Sequence, residues 1–236
     1  MITERTQSVE QTISAFVGKK IRDNFGKGPN AIFVTITGNF ILIYLKNAIS
    51  PIEKILLEQK NDDILYQVRQ KIMETLLPEI KTCIDIATGK EIVNIFYSWG
   101  LDSKSAMILG LSNEEFNPNQ QVIKDYYGKE ELEKKIVSLS YQTQRVPDEI
   151  NSYQLNPRTL LIIRKGTLVK IEKELIKRGY DQVLESVISD VEKSICMETI
   201  DFEQTLKMEL VDLFVDWDFD LDISILLFIV KPCASG

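Results

Sequence analysis

Two stretches decide the fold: Asn94-Ile95-Phe96-Tyr97-Ser98-Trp99-Gly100-Leu101-Asp102 and Asp212-Leu213-Phe214-Val215-Asp216-Trp217-Asp218-Phe219-Asp220. They hold both tryptophans of the chain, 118 positions apart in 236 residues. In each, an apolar run leads to Trp and an Asp follows three residues later (Asp102, Asp220). A second apolar run comes next, Met107 to Leu111 and Ile223 to Val230. Each copy reads as a β-hairpin whose turn holds the Asp. A motif that recurs after half the chain points to an internal duplication.

The sequence upstream of the hairpins repeats as well. Ile52-Glu53-Lys54 returns as Ile171-Glu172-Lys173, 119 positions on, and Pro29 returns as Pro147, 118 positions on. Leu65, Val68 and Ile72 match Leu184, Val187 and Val191. Residues 8–24 have helical periodicity, with Val9, Ile13, Phe16, Val17 and Ile21 on one face and Lys19, Lys20, Arg22 and Asp23 between them. Gly26-Lys27-Gly28-Pro29-Asn30 reads as a helix end and turn. A phosphate loop needs a longer spacing and a following helix, and here a strand follows. Ala31–Thr37 alternates, Gly38-Asn39 suits a two-residue hairpin turn, and the return strand Phe40–Lys46 is apolar enough to be central or buried on both faces.

Ser50-Pro51-Ile52-Glu53 has the makings of a capping box, with Pro where its missing N–H costs nothing. That helix is expected to reach about Gln59. Asn61-Asp62-Asp63 is expected to cap a longer helix with Leu65, Val68, Ile72, Leu76 and Ile80 on one face. Pro78 should kink it near Leu77, and Gly89 should cap its C-terminus. Polar Asn113–Gln121, with Pro118, reads as a linker. The same order then returns: a helix over 129–144 with Leu132, Ile136 and Leu139, strands over 149–155 and 159–165, helices over 167–178 and 181–197, and a hairpin over 205–230.

The expected fold is thus α+β. Two tandem αββααββ units, residues 1–112 and 122–236 with a 113–121 linker, each form an antiparallel sheet of about four strands with helices on one face. A pseudo-twofold axis is expected to relate them.

Composition narrows the function. The chain has no histidine, which removes the commonest general base and metal ligand. No nucleophile or paired carboxylates stand at a recognisable spacing, so no catalytic, cofactor-binding or metal-ligating residue is assigned and no intrinsic enzyme activity is expected. The enzyme alternative is a carboxylate- or metal-dependent activity at Asp216, Asp218, Asp220 and Asp222. The first copy keeps only Asp102 of that set, and the spacing is not that of an EF-hand. Like charges on a solvated hairpin tip are the plainer reading. Trp99 and Trp217 read as core or subunit-contact anchors rather than stacking platforms, and Tyr126-Tyr127 as a packing feature.

Net charge is −7, with residues 1–117 at −1 (13 Lys+Arg against 14 Asp+Glu) and residues 118–236 at −6 (15 against 21). Such a chain lacks the basic face that nucleic acid requires. Lys19, Lys20, Arg22 and Lys27 form the only clear basic patch and read as a solvated helix face. Three unpatterned cysteines, Cys83, Cys196 and Cys233, suit buried or incidental thiols. No apolar run approaches the ~20 residues of a spanning helix, and the N-terminal residues lack a signal-peptide core.

Several linked motifs of the first copy resemble one family. They are Ile21-Arg22-Asp23-Asn24-Phe25-Gly26-Lys27-Gly28-Pro29, Val34-Thr35-Ile36-Thr37-Gly38, Ser50-Pro51-Ile52-Glu53-Lys54, Met73-Glu74-Thr75-Leu76-Leu77-Pro78-Glu79 and Tyr97-Ser98-Trp99-Gly100-Leu101-Asp102. Together they look like the MpsC family, in two tandem copies, with 8–111 the better match and 129–231 a diverged one. The family is named for a sodium-translocating, membrane-potential-generating system. Its members can accompany an ion-pumping membrane subunit and a large partner linked to inorganic-carbon uptake.

The resemblance implies a soluble accessory or regulatory subunit, cytoplasmic or peripheral at the membrane, that meets membrane transport subunits through protein contacts. It brings no catalytic set, nucleic acid or direct membrane insertion, and it leaves self-association open. On this reading the acidic stretch Asp216 to Asp222 would meet basic cytoplasmic loops of a membrane partner. The alternative is a cytosolic sensor with a small ligand between the repeats, lined by Trp99, Trp217 and Tyr97.

Overall fold

The computed structural model describes residues 2–100, 102–116 and 120–233; at residues 2–8, 62 and 63 it describes the backbone alone. The chain divides into two compact units, Met1–Gln121 and Val122–Gly236. The first is built from α1 (Ile2–Phe25), β1 (Ala31–Thr37), β2 (Phe40–Lys46), α2 (Pro51–Glu58), α3 (Asp62–Thr88), β3 (Asn94–Gly100) and β4 (Ser105–Leu111). Its four strands form one antiparallel sheet in the order β1-β2-β4-β3. The second holds α4 (Lys129–Thr143), β5 (Glu149–Asn156), β6 (Thr159–Lys165), α5 (Lys170–Lys177), α6 (Asp181–Thr199), α7 (Phe202–Leu206), β7 (Met208–Asp218) and β8 (Ile223–Pro232). Its antiparallel sheet has the order β5-β6-β8-β7, the same topology as the first. The α+β class and the two similar units expected from the repeats are therefore present.

Local chemistry accounts for most of the elements. Thr37 pairs with Phe40 across a two-residue turn, with Gly38 at φ +53°. The Ser50 hydroxyl accepts from the Glu53 N–H at 3.4 Å, and the Ser50 N–H donates to the Glu53 carboxylate at 2.6 Å, which completes the capping box. Gly89, at φ +70°, ends α3 in the left-handed conformation that glycine adopts without a Cβ clash. Both hairpins turn at the expected aspartates, between Gly100 and Ser105 and between Asp218 and Ile223.

Some expectations needed revision. The first helix begins at Ile2 rather than near residue 8. The Asn61 side chain makes no cap hydrogen bond to α3. The short helix α7 was not foreseen; its five residues lie between α6 and β7, which is how a shorter α6 still delivers β7 at nearly the same offset. Residues 117–119, with Pro118 in the segment read as a linker, lie outside the described residues, as does Leu101. On either side of that gap the chain is tied to the first unit: Phe116 donates its N–H to the Gly38 carbonyl at 2.7 Å, and Gly38 donates to the Gln120 carbonyl at 2.7 Å.

In the first unit Ile41, Ile43, Leu45, Ala106, Ile108 and Trp99 of the sheet pack with Ile13, Val17 and Ile21 of α1 and Met73, Leu76, Ile80 and Ile84 of α3. The alternate side chains Phe40, Leu42, Tyr44, Phe96, Met107 and Leu109 are buried too. β2 is thus both central and buried on both faces, as its unbroken apolar sequence implied. The second core repeats the plan, with Leu160, Ile162, Leu226 and Phe228 under Leu132, Ile136, Leu139, Ile188 and Cys196.

The face expected for α3 holds at Leu65, Ile72, Leu76 and Ile80 and fails at Val68. Val68 is 47% exposed and its counterpart Val187 is 55% exposed, and Val191, the counterpart of Ile72, is 45% exposed. The buried stripe of α3 runs through Leu65, Arg69, Met73, Leu76, Ile80 and Ile84, and that of α6 through Ile188, Glu192 and Cys196. A charged side chain stands in each stripe, where periodicity alone would place an aliphatic one.

Candidate functional site

The buried charges organise the interior of both units. Arg69 is fully buried. Its Nε donates to Glu53 Oε1 at 2.8 Å and its Nη2 to the Ala48 carbonyl at 2.7 Å. Its guanidinium carbon lies 3.8 Å from the Trp99 ring centroid and 5.1 Å from that of Phe25. Phe25 meets Trp99 edge-to-face at 5.8 Å. Stacking of a desolvated guanidinium on indole adds cation–π attraction to the ion pair. Burial pulls the Arg69 pKa below its ordinary value, while the Glu53 hydrogen bond and charge oppose that pull. Nη1 of Arg69 and Nε1 of Trp99 are buried without a hydrogen-bond partner.

Four motifs of the sequence meet here: the end of α1 (Phe25), the cap of α2 (Ser50, Glu53), α3 and the Trp of β3. Glu53 is at once the capping-box acid and the counter-ion of Arg69, so the start of α2 is locked onto α3. Sequence reasoning missed Arg69. The available signal was a lone Arg on the apolar side of a helix, which looks like any solvated cation until its partner 16 residues away is known.

The second unit has the same requirement and a different solution. Strand register places Leu45 opposite Ala106, and Ala106 opposite Trp99. The matching row is Arg164, Ser224 and Trp217. Arg164 and Glu192, both fully buried, form a bidentate pair, with Nη1 and Nη2 each 2.8 Å from a carboxylate oxygen. Arg164 also donates to Ser224 Oγ at 3.0 Å and Ser140 Oγ at 2.9 Å. By the repeat offset these four polar residues stand where the first unit has Leu45, Met73, Ala106 and Ile21. Conversely, Ile188 stands in the place of Arg69 and Gln144 in that of Phe25. Gln144 Nε2 is 3.1 Å from each oxygen of Glu172, the counterpart of Glu53. Val169 has no side-chain acceptor, so only half of the capping box survives there, the Val169 N–H donating to Glu172 at 2.8 Å. Burial pushes the Glu172 pKa up; the Val169 and Gln144 hydrogen bonds partly offset it, and the Asp222 and Glu192 charges reinforce it.

The acidic stretch is dispersed rather than gathered. Asp216 is 5% exposed within β7, at the register position of Ser98. Asp218 accepts from the Leu221 N–H at 3.1 Å. Asp222 accepts from the Leu168 N–H at 3.0 Å and from Lys173 at 2.9 Å, tying the turn to α5. Asp220 alone of the four is exposed. The expected solvated acidic tip is therefore corrected: strand alternation and turn hydrogen bonds draw three of the four carboxylates into local structure. Among the described residues no three His, Cys, Asp or Glu side chains converge as metal ligands would.

Trp99 and Trp217 are core residues, 5% and 8% exposed. Tyr126 packs on the second core, and burial pushes its hydroxyl pKa up to about 12. Tyr127 is exposed beneath the Lys207 ammonium. Of the basic patch, Lys20 pairs with Glu79, and Lys27 donates to the Ile49 carbonyl at 3.4 Å. No described helix is long and apolar enough to cross a membrane.

Both guanidinium groups are neutralised by a carboxylate and enclosed by core, so these clusters fix helix positions and present no reacting group to solvent. The chemistry open to a partner lies on the surface instead.

Residues 5–113 match the family model described as Na+-translocating membrane potential-generating system (MpsC). The resemblance read from the motifs is thereby shown for the first unit; the match spans a little under half of the chain, and the second unit lies outside it. No curated protein and no solved structure matches the chain.

Proposed function

We propose that this protein is a cytoplasmic accessory or regulatory subunit of a sodium-translocating membrane system coupled to inorganic-carbon uptake, acting through protein contacts and without intrinsic catalysis. The observation that carries the reading is the family match over residues 5–113. It is supported by where the motif residues lie. Phe25, Glu53 and Trp99 serve the core around Arg69, which is the placement expected of a family defined by a binding scaffold rather than by a reacting site. With no described helix able to span the bilayer, its route to the membrane is a protein partner.

Two measurements on the intact chain test this. Cells lacking the protein should show a reduced sodium-dependent membrane potential, read with a voltage-sensitive dye, and reduced bicarbonate-supported growth. The tagged chain should also recover a multi-spanning subunit from detergent-solubilised membranes at low salt. Normal membrane potential together with no membrane subunit recovered at low salt would overturn the proposal.

A further inference from the structure

Three exposed aliphatic positions are shared by the two units. Ile52 on α2 and Ile171 on α5 are 73% and 71% exposed. Ile64 and Val68 on α3 are 52% and 47% exposed, and their counterparts Val183 and Val187 on α6 are 62% and 55% exposed. At i, i+4 and i+8 the ridges read Ile64-Val68-Ile72 and Val183-Val187-Val191. Elsewhere the copies have diverged so far that a buried Arg–Glu pair has moved between elements. Ile72 is half-buried against the core, but the branched side chains of Ile64 and Val68 on α3 and of Val183, Val187 and Val191 on α6 are left in water, gain nothing for a monomer and mark an interaction surface.

The flanking charges indicate the occupant. Exposed Glu58, Lys71 and Glu74 border the first face. The equivalent positions on the second face are Lys177, Asp190 and Lys193, opposite in sign at all three. Lys71 and Glu74 now pair along their own helix at 2.8 Å, as do Lys177 and Glu174 at 2.7 Å. Such exposed pairs are weak and readily exchanged. Lys54 and Lys173 share a sign, but Lys173 is held by Asp222 at 2.9 Å. A face meeting its own copy in register would oppose like charges, whereas a first face meeting a second face would oppose unlike ones.

We infer that the α2–α3 face of one molecule docks on the α5–α6 face of a second copy of this chain. The helices run in the same direction and in register, with Val68 beside Val187, Lys71 beside Asp190 and Glu74 beside Lys193. The aliphatic ridge supplies the affinity, and the charges set partner and register. The contact is heterologous, so two reciprocal contacts give a closed dimer and one contact per face gives a longer assembly. This inference is independent of the membrane reading.

The test is the molar mass of the full chain by sedimentation and light scattering between about 1 and 100 µM. The expected result is assembly beyond the 27.1 kDa monomer. Val68→Asp and Val187→Asp, on exposed helix faces, should each raise the dissociation constant at least about tenfold with unchanged circular dichroism. Lys71→Glu and Asp190→Lys should each weaken assembly, and the double variant should restore it. A monomer at 100 µM would overturn the inference, as would an assembly indifferent to the aliphatic variants or one that the double charge swap fails to restore.

Discussion

Glu53→Gln is the most informative single change, because it removes the charge and leaves a side chain of the same shape. The amide keeps the shape of the carboxylate but has one acceptor oxygen for two donors that Glu53 serves with separate oxygens, the Ser50 N–H at Oε2 and Arg69 Nε at Oε1, so one of the two hydrogen bonds is kept. What disappears is the negative charge facing a fully buried guanidinium stacked on Trp99. Removing one partner of a buried ion pair costs about 3–5 kcal/mol, and the one retained hydrogen bond places this variant near the lower end, about 3 kcal/mol. For a unit of this size that is roughly 9–15 °C in Tm. Trp99 is the natural reporter, so urea unfolding is followed by fluorescence in a Trp217→Phe background. With an m-value of about 2 kcal/mol per M, the midpoint should fall by about 1.5 M. The second unit supplies the complementary test. Arg69→Ile, which installs the residue found at 188, should destabilise by leaving Glu53 buried without a cation. Adding Phe25→Gln, which installs the residue found at 144, should recover part of the loss through an amide donor. A Glu53→Gln loss below about 1 kcal/mol, or no recovery in the double variant, would refute the account.

Three further outcomes are expected. Glu172→Gln should be neutral to stabilising: burial raises the folded pKa of Glu172 above its unfolded value, so the stability it contributes is present at low pH and is lost as pH rises through the folded pKa. The benefit of the amide, measured by urea unfolding followed at Trp217, should therefore appear above the ordinary carboxylate range and vanish at pH 3. Glu192→Met alone should cost about 3–5 kcal/mol by stranding Arg164, whereas replacing Ser140, Arg164, Glu192 and Ser224 together by the first unit's Ile, Leu, Met and Ala should be neutral or stabilising by about 1–4 kcal/mol, again read by urea unfolding. Cys196 is buried, and its thiol pKa is pushed up to about 12, mainly by burial and next by the Glu192 charge. It should resist alkylation at pH 8 in the native state and react fully in urea, as followed by mass spectrometry.

The duplication, the hairpins at Trp99 and Trp217, the Gly38-Asn39 turn and the Ser50–Glu53 box were legible because each rests on contacts within a few residues or on direct repetition. Strand alternation and turn chemistry are short-range, and so is a cap. The dispersed acidic stretch was misread for the same reason: Asp222 finds Lys173 and the Leu168 N–H some fifty residues away, beyond any local pattern.

Only the tertiary structure decided which face of α3 and of α6 turns inward. Helical periodicity identifies an apolar stripe, but here two neighbouring stripes compete. Val68 and Val187 lie on the exposed stripe, and Arg69 and Glu192 lie on the buried one. A charge enters a core only where a distant partner neutralises it. Arg69 has Glu53 and the Trp99 ring, and Glu192 has Arg164 from β6. Those pairings exist only once the sheet and helices are assembled, and they leave the aliphatic stripe facing solvent in both units.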